Sequence, residues 1–265
     1  MEKDFFFEPD KFGPLRIWRE PSPGAEYVVG VDVAEGITPD GARKGGDFSA
    51  AFVINATTLE HVATWHGHID PYPFADEIAG LASYYNNALL AVEKNNHGLT
   101  VINRLVHELA YPNLYQQKFA PDKTKNRTKP RLEYGFTTTG SKQGGGSKAL
   151  VVDALRMIVR RVTPIRDHRF CAEGLTWVLD ERGRPKTNDG ANDDVLMSAA
   201  IAYYVAHEAF GTAFMTRQPV QINAARAEYV DRKNTWRRII ERTQEEAEQP
   251  DPWDEVPDEA RQFYE

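Results

Sequence analysis

Short apolar runs bounded by polar or glycine-containing segments predict strands in the first third of the chain. Three of these runs occupy residues 27–33, 48–55 and 59–67. The Asn-Ala-Thr-Thr segment that begins at Asn55 has the composition of a turn, so the second and third runs are predicted to form an antiparallel hairpin. Residues 88–93 are apolar up to a final glutamate, which is typical of a central strand covered on both faces.

Segments with apolar residues at helical spacing alternate with these strands. Helices are predicted at residues 70–87, 97–110, 148–162 and 188–210, and a weaker strand at residues 113–118. Asp70 can cap the first of these helices, where early prolines are tolerated. The alternation predicts an α/β fold with a mixed central sheet. Its first three strands are antiparallel, a parallel strand follows, and helices cover both faces.

Charge is distributed unevenly along the chain. The net charge is −7, but residues 244–265 carry nine acids and one base, and the remainder carries 31 bases and 30 acids. Within that remainder, residues 118–131 contain six bases and one acid. Such a basic strip can neutralise phosphates, although a solubilising surface loop has the same composition. We therefore divide the chain into a lead-in (residues 1–24), a folded domain (25–215) and a helical and acidic tail (216–265).

Composition narrows the class of protein further. No run approaches 18 consecutive apolar residues, and the acidic N-terminus lacks the apolar core of a signal peptide. The single cysteine, Cys171, excludes an intramolecular disulfide and fits a reducing compartment. These features predict a soluble intracellular protein.

Carboxylates stand at the ends of several predicted elements. Asp32 ends the first strand, Glu93 ends the 88–93 strand, Asp47 precedes the second strand, and Asp193 and Asp194 open the last helix. If the two strands are parallel neighbours, Asp32 and Glu93 lie side by side at the carboxyl edge of the sheet, where α/β proteins bind ligands. Close carboxylates repel each other unless a cation lies between them, and oxygen ligands suit Mg²⁺ or Mn²⁺. A third carboxylate at a helix start can complete a two-metal site for attack on a phosphodiester.

Each acid also has a structural interpretation when it is taken alone. Asp194 can be a helix N-cap, and Asp32 and Asp47 can be turn residues. Glu93 is harder to explain in this way, because a glutamate after five apolar residues must leave the core or find a partner. The four positions together favour a metal site.

Three motifs in order carry a resemblance to a known family. The segments VVGVDVAEG followed by GGDFSAAFVIN, then AVEKNNHG, then NDGANDDVLMSAAIAYYV resemble the nuclease domain of tailed-phage terminase large subunits. The resemblance covers about residues 20–209 and implies an RNase H-like, resolvase-like fold. It also implies a two-metal endonuclease, using Mg²⁺ or Mn²⁺, that cleaves double-stranded DNA during viral genome packaging.

The resemblance assigns roles to the acids. It implies that Asp32 bridges two metal ions and that Glu93 and either Asp193 or Asp194 complete their ligand shells. We favour Asp194 as the ligand, with Asp193 supporting it. Asp47 lies at the family's Gly-Asp step and is expected to be accessory. His97 is close enough to Glu93 in sequence to orient substrate or water, but it can equally be a helix-start residue.

Basic residues are expected to grip the DNA backbone. They lie in the strip at residues 118–131 and in the glycine-rich segment that follows: Lys118, Lys123, Lys125, Arg127, Lys129, Arg131, Lys142 and Lys148. His66 and His68 have a spacing that a metal could use, but the resemblance gives them no role.

One departure from the family limits the expected activity. A complete terminase large subunit has an ATPase motor, but this sequence has no G-x-x-x-x-G-K-[ST] motif. We therefore expect an isolated nuclease domain with its tail, acting in the host cytoplasm. Its expected partners are DNA, the terminase ATPase domain, the portal protein and the small terminase subunit. The alternatives are a Holliday-junction resolvase, a sugar-kinase or actin-like ATPase, and a docking module whose nuclease is silent without the motor.

Overall fold

The computed structural model describes residues 7, 10, 12–35, 48–95, 97–121, 129–138, 147–160, 165–179, 185–187 and 191–211. Several sequence predictions lie outside these residues: the accessory role of Asp47, the DNA contacts of Lys123, Lys125, Arg127 and Lys142, and the tail at residues 216–265. Within the described ranges, no helix is long and apolar enough to cross a membrane.

A mixed five-stranded sheet forms the centre of the fold, with the strand order β1-β4-β3-β2-β5. The strands are β1 (Leu15–Ile17), β2 (Tyr27–Asp32), β3 (Ser49–Asn55), β4 (His61–Gly67) and β5 (Leu89–Val92). The pairs β1–β4, β4–β3 and β3–β2 are antiparallel, whereas β2 and β5 are parallel. The mixed sheet and the β3–β4 hairpin are thus confirmed. Strand β1 was not predicted, because three residues give no readable alternation.

Five helices accompany the sheet: α1 (Pro71–Tyr84), α2 (Gly98–His107), α3 (Ser147–Arg160), α4 (His168–Thr176) and α5 (Asp194–Phe210). Four of them were predicted. The carboxylate of Asp70 caps α1 by accepting a 2.9 Å hydrogen bond from the Tyr72 amide. Helix α4 was not predicted, because it is only nine residues long and contains a glycine. It has a capping signal in Asp167, which accepts a 3.0 Å hydrogen bond from the Arg169 amide.

A second hairpin extends the β5 edge of the sheet. It consists of β6 (Gln116–Phe119) and β7 (Arg131–Tyr134), which pair antiparallel. The Tyr115 amide donates to the carbonyl of Leu90 at 2.9 Å, and the Phe136 amide donates to that of Val92 at 2.7 Å. Strand β6 confirms the weak strand prediction, and the hairpin places Lys118 and Arg131 near the sheet edge next to β5. Two further short strands, β8 (Trp177–Leu179) and β9 (Pro185–Thr187), pair with each other.

Alternation along the strands gives the sheet two apolar faces. Val28 of β2 packs in a cluster with α3 and α5, while Val29 and Val31 pack on the other face with α1 and α2. The expectation of helices on both faces is confirmed. Since both faces are covered, the polar side chains of β2 and β3 are found at the ends of these strands.

Gly30 allows α5 to lie directly on β2. A β-carbon at this position would be 2.1 Å from the Ser198 carbonyl oxygen and 2.5 Å from the Ala202 nitrogen. No side chain fits into such a gap, so glycine is required for the close approach of the two backbones. The contact fixes the height of α5 on the sheet and brings its N-terminal end near the end of β2.

Candidate active site

Asp32 and Glu93 are placed side by side by the parallel register of β2 and β5. Val31 is opposite Val92 in this register, and the Glu93 amide donates to the Val31 carbonyl at 2.8 Å. Asp32 is the last residue of β2 and Glu93 directly follows β5, so both lie at the carboxyl edge of the sheet. The parallel arrangement on which the sequence argument depended is therefore present.

Helix α5 brings a third carboxylate to this edge. Asp194 is the first residue of the helix and is only 6 % exposed, and its Oδ2 accepts a 3.1 Å hydrogen bond from the Phe48 amide. Asp193 is the N-cap residue, and its carbonyl accepts from the Met197 amide at 2.7 Å. The N-cap interpretation of Asp194 is thus wrong, because Asp193 takes that position and Asp194 reaches across to the start of β3.

The electrostatics of Asp32 differ from those of an ordinary surface aspartate. Burial raises the pKa of its carboxyl well above the usual range, and the negative charge of Glu93, a hydrogen bond to Glu93 and the charges of Asp194 and Asp193 raise it further. Among the residues that the structure describes, no base contributes to this shift. Carboxylates in this arrangement are stabilised by a cation, and their oxygen donors fit Mg²⁺ or Mn²⁺.

Two residues that the sequence did not single out support the Glu93 side of the site. The hydroxyl of Thr138 donates to Glu93 Oε1. Asn95 donates from Nδ2 to the Val33 carbonyl at 3.0 Å and accepts the Gly98 amide at 2.7 Å, so it joins the ends of β2 and β5 to α2. Thr138 follows β7, a strand that the sequence pattern did not predict. Its proximity to Glu93 therefore could not be foreseen.

A cluster on the other side of Asp194 contains His66 and Glu173. One potential ligand atom from each of these three residues lies within 4.8 Å of the other two, and this trio does not include Asp32 or Glu93. Glu173 accepts the Leu196 amide at 2.8 Å. Burial raises the pKa of Glu173 to about 7 and lowers the pKa of His66 to about 4. Glu173 was missed because α4 was missed. The spacing of His66 and His68 suggested a metal ligand, but His66 was set aside because the family resemblance assigns it no role.

The remaining predicted site residues are spread around this edge. His97 is the N-cap residue of α2, and its side chain makes no capping hydrogen bond. Lys118 and Lys129 are exposed on and beside the β6–β7 hairpin. Arg131 forms an ion pair with Glu133, and its guanidinium carbon lies 4.8 Å from the centre of the Phe119 ring. Lys148 is half-buried in the first turn of α3.

Comparisons with known proteins identify the fold. No family profile and no curated protein sequence matches this chain. The structure is similar to crystal structures of the large terminase nuclease from thermophilic phage G20c. The form with bound magnesium is 13 % identical, with a TM-score of 0.51, and the match covers 73 % of this chain and 88 % of that one. The cobalt-bound form gives the same identity, coverage and TM-score.

The fold of this chain is therefore that of a nuclease domain of the RNase H-like class. More particularly, it is the fold of phage large terminase nuclease domains. This confirms both the fold class and the resemblance that the three sequence motifs predicted.

Proposed function

We propose that this chain is a metal-dependent endonuclease that cuts double-stranded DNA during the packaging of a viral genome. The observation that carries the proposal is the register of β2 and β5, which brings Asp32 next to Glu93 at the edge where Asp194 also lies. The terminase nuclease fold supports the same function. Residues 25–215 would form the nuclease domain, with residues 1–24 and 216–265 as its lead-in and tail.

The proposed cofactors are two Mg²⁺ or Mn²⁺ ions. Asp32 would bridge them, Glu93 and Asp194 would complete the ligand set, and Asp193 would support Asp194. An all-oxygen donor set with excess negative charge fits these hard cations. When bound, the ions supply Lewis-acid stabilisation of the phosphate charge and lower the pKa of the attacking water.

The protein residues would hold and orient the other participants. Thr138 orients the carboxylate of Glu93 through its hydroxyl. Asp47 and His97 would have accessory roles. The backbone of the DNA would be gripped by the basic residues of the β6–β7 hairpin and of the segments around it: Lys118, Lys123, Lys125, Arg127, Lys129, Arg131, Lys142 and Lys148. Contacts of this kind recognise phosphate, so binding should weaken as salt rises and show little sequence preference.

The proposed setting is a packaging complex in the host cytoplasm. Double-stranded DNA would be the substrate, and the terminase ATPase domain, the portal protein and the small terminase subunit would be the protein partners. The fold shared with large terminase nucleases supports this setting.

The test is a cleavage assay on supercoiled plasmid with the purified chain. We expect nicking and linearisation with Mn²⁺ or Mg²⁺, no cleavage in EDTA, and loss of cleavage in Glu93→Gln with DNA binding retained. A gel-shift measurement on the same samples gives the binding.

Two results would contradict the proposal. DNA binding without cleavage by the parent, in either metal, would favour a docking module. Strong preference for a four-way junction over linear duplex would favour a resolvase.

A further inference from the structure

We propose a further cation position, held by His66, Glu173 and Asp194, that prefers a transition-metal ion over Mg²⁺. The position shares one ligand, Asp194, with the proposed nuclease site. Only through this shared ligand does it rest on the proposed function. Its donors are one imidazole nitrogen and two carboxylates, and they come from β4, α4 and α5. It is thus separate from the Asp32–Glu93 pair, whose donors are all oxygens.

The distances fit a bridging cation. The three ligand atoms lie within 4.8 Å of one another. An ion about 2.1 Å from each ligand keeps its ligands roughly 3 to 4 Å apart, so small side-chain rotations complete the site.

Phe48 orients two of the three ligands at once. Its ring stacks on that of His66, with centroids 4.4 Å apart and planes at 23°. Its amide donates to Oδ2 of Asp194. Stacking uses the face of the imidazole, whereas the nitrogen lone pair used for metal binding lies in the ring plane. The contact therefore fixes the ring without occupying its ligand atom, as supporting residues do around metal sites.

Glu173 is oriented by the start of α5. Its Oε2 accepts a hydrogen bond from the Leu196 amide at 2.8 Å, and the Val195 amide also hydrogen-bonds to this carboxylate. The side chain is largely removed from solvent at 9 % exposure. The two helix amides hold the carboxylate at the start of α5, next to Asp194.

The donor types predict the metal preference. An imidazole nitrogen favours divalent transition-metal ions over Mg²⁺, which prefers oxygen and water, and the affinity of a given site for Mn²⁺ is lower than that for Co²⁺. We therefore expect the His66 position to retain Mn²⁺ or Co²⁺ in excess Mg²⁺. The all-oxygen pair of Asp32 and Glu93 should exchange its ion for Mg²⁺ under the same conditions.

The test is pulsed electron paramagnetic resonance of the full chain with Mn²⁺ in excess Mg²⁺, without DNA. A coordinated imidazole gives a ¹⁴N coupling on Mn²⁺. We expect this coupling in the parent and its loss in His66→Gln. The affinity of this position for Mn²⁺ should be weaker in that variant by about tenfold or more.

The controls separate His66 from the other histidines nearby. His68→Gln removes the ring that stacks on the opposite side of Phe48, and His97→Gln removes the ring at the start of α2. Both variants should keep the coupling. Glu173→Gln, a milder change than loss of the histidine, should also weaken binding. Absence of the coupling in the parent, or its persistence in folded His66→Gln, would overturn the proposal.

The same samples distinguish this proposal from the nuclease proposal. If the parent cleaves plasmid but shows no ¹⁴N coupling, the nuclease proposal stands and the His66 cation position is contradicted. If the parent shows the coupling but no cleavage, the cation position stands and the nuclease proposal is contradicted. In Asp32→Asn we expect the coupling to remain, because Asp32 is not one of the three ligands.

Discussion

Acidic residues at the two ends of the sheet have carboxyl pKa values that are shifted in opposite directions. Glu60 stands just before β4 and accepts 2.7 Å hydrogen bonds from Arg19 and Arg166, which lower the pKa of its carboxyl, Arg166 having the larger effect. Asp32 stands at the end of β2, where burial and three other acids raise its pKa. The strand register places these positions at opposite ends, since Asp32 pairs with Ala50 whereas His61 pairs with Ile54.

The difference shows which acid is structural. The charge of Glu60 is already neutralised by two guanidinium groups from the protein, so it has no need of a ligand. At the other end the described residues bring carboxylates to carboxylates, an arrangement that a bound cation would neutralise. An acid beside a strand is therefore informative only together with its neighbours.

The largest expected effect separates these two acids directly. Asp32→Asn removes a proposed bridging ligand and should lower the cleavage rate by about a thousandfold or more, because metal ions contribute several kcal/mol to stabilisation of the transition state. Glu60→Gln, the matched change at the other end, should leave cleavage near the parent rate and lower stability by about 1 kcal/mol or less. Plasmid cleavage rates measure the first effect and denaturant unfolding the second. Equal loss of cleavage in both variants would mean that the effect is structural.

The next effect concerns how α5 is placed at the acidic end. Gly30→Ala forces a β-carbon against the Ser198 backbone and should lower the free energy of unfolding by at least about 1 to 3 kcal/mol. Cleavage should also be lost, because the displacement of α5 moves Asp194. Gly174→Ala is the control, since the nearest atom to its β-carbon would be a Leu196 methyl at 3.9 Å. In a helix this control change should be neutral or stabilising by up to about 1 kcal/mol. A Gly30→Ala protein as stable and active as the parent would show that α5 does not need this contact.

A third prediction concerns pH at the Glu60 end. Burial lowers the pKa of His61 from 6.5 to about 4, so below pH 6.5 the unfolded chain binds a proton there that the folded chain does not. The free energy of unfolding therefore falls as the pH falls from 6.5 to 4. The contribution of His61 to this loss is about 2 to 3 kcal/mol, since one pKa unit corresponds to roughly 1.4 kcal/mol. His61→Gln should lose less stability than the parent over this window in denaturant melts at several pH values. Identical pH slopes would contradict a neutral buried His61.

The smallest effect tests the basic hairpin next to the acidic end. Lys118→Ala and Lys129→Ala should each weaken binding to any duplex alike and reduce the salt slope by about 1, because one phosphate contact is lost. Arg16→Ala on β1, at the opposite edge of the sheet, is the control and should leave the slope unchanged. Binding isotherms at several salt concentrations give these slopes. A reduction in all three variants would point to general charge and not to the hairpin.

Sequence reasoning succeeded where the pattern was long or the geometry repeated. The apolar runs of β2, β3 and β5 and the spacing of α5 predicted the sheet, and a parallel register then implied that Asp32 and Glu93 are neighbours. It failed for elements of three to nine residues, namely β1, β7, β8, β9 and α4, whose patterns are too short to separate from loops. Glu173 and Thr138 were missed for that reason.

The choice between Asp193 and Asp194 shows a second limit. The two residues are adjacent and chemically identical, so local sequence cannot say which one caps the helix and which one reaches the sheet. The answer depends on Phe48, whose amide is brought to Asp194 by the packing of α5 on β2 and β3. Contacts of this kind arise from tertiary packing alone.

The position of α5 at the end of the described chain has a consequence for synthesis on the ribosome. This helix supplies most of the core on one face of the sheet as well as Asp194. A nascent chain that has emerged only as far as α4 therefore has Asp32 and Glu93 but neither the covering helix nor the third carboxylate. Completion of the core on this face and arrival of the third carboxylate therefore happen in one event.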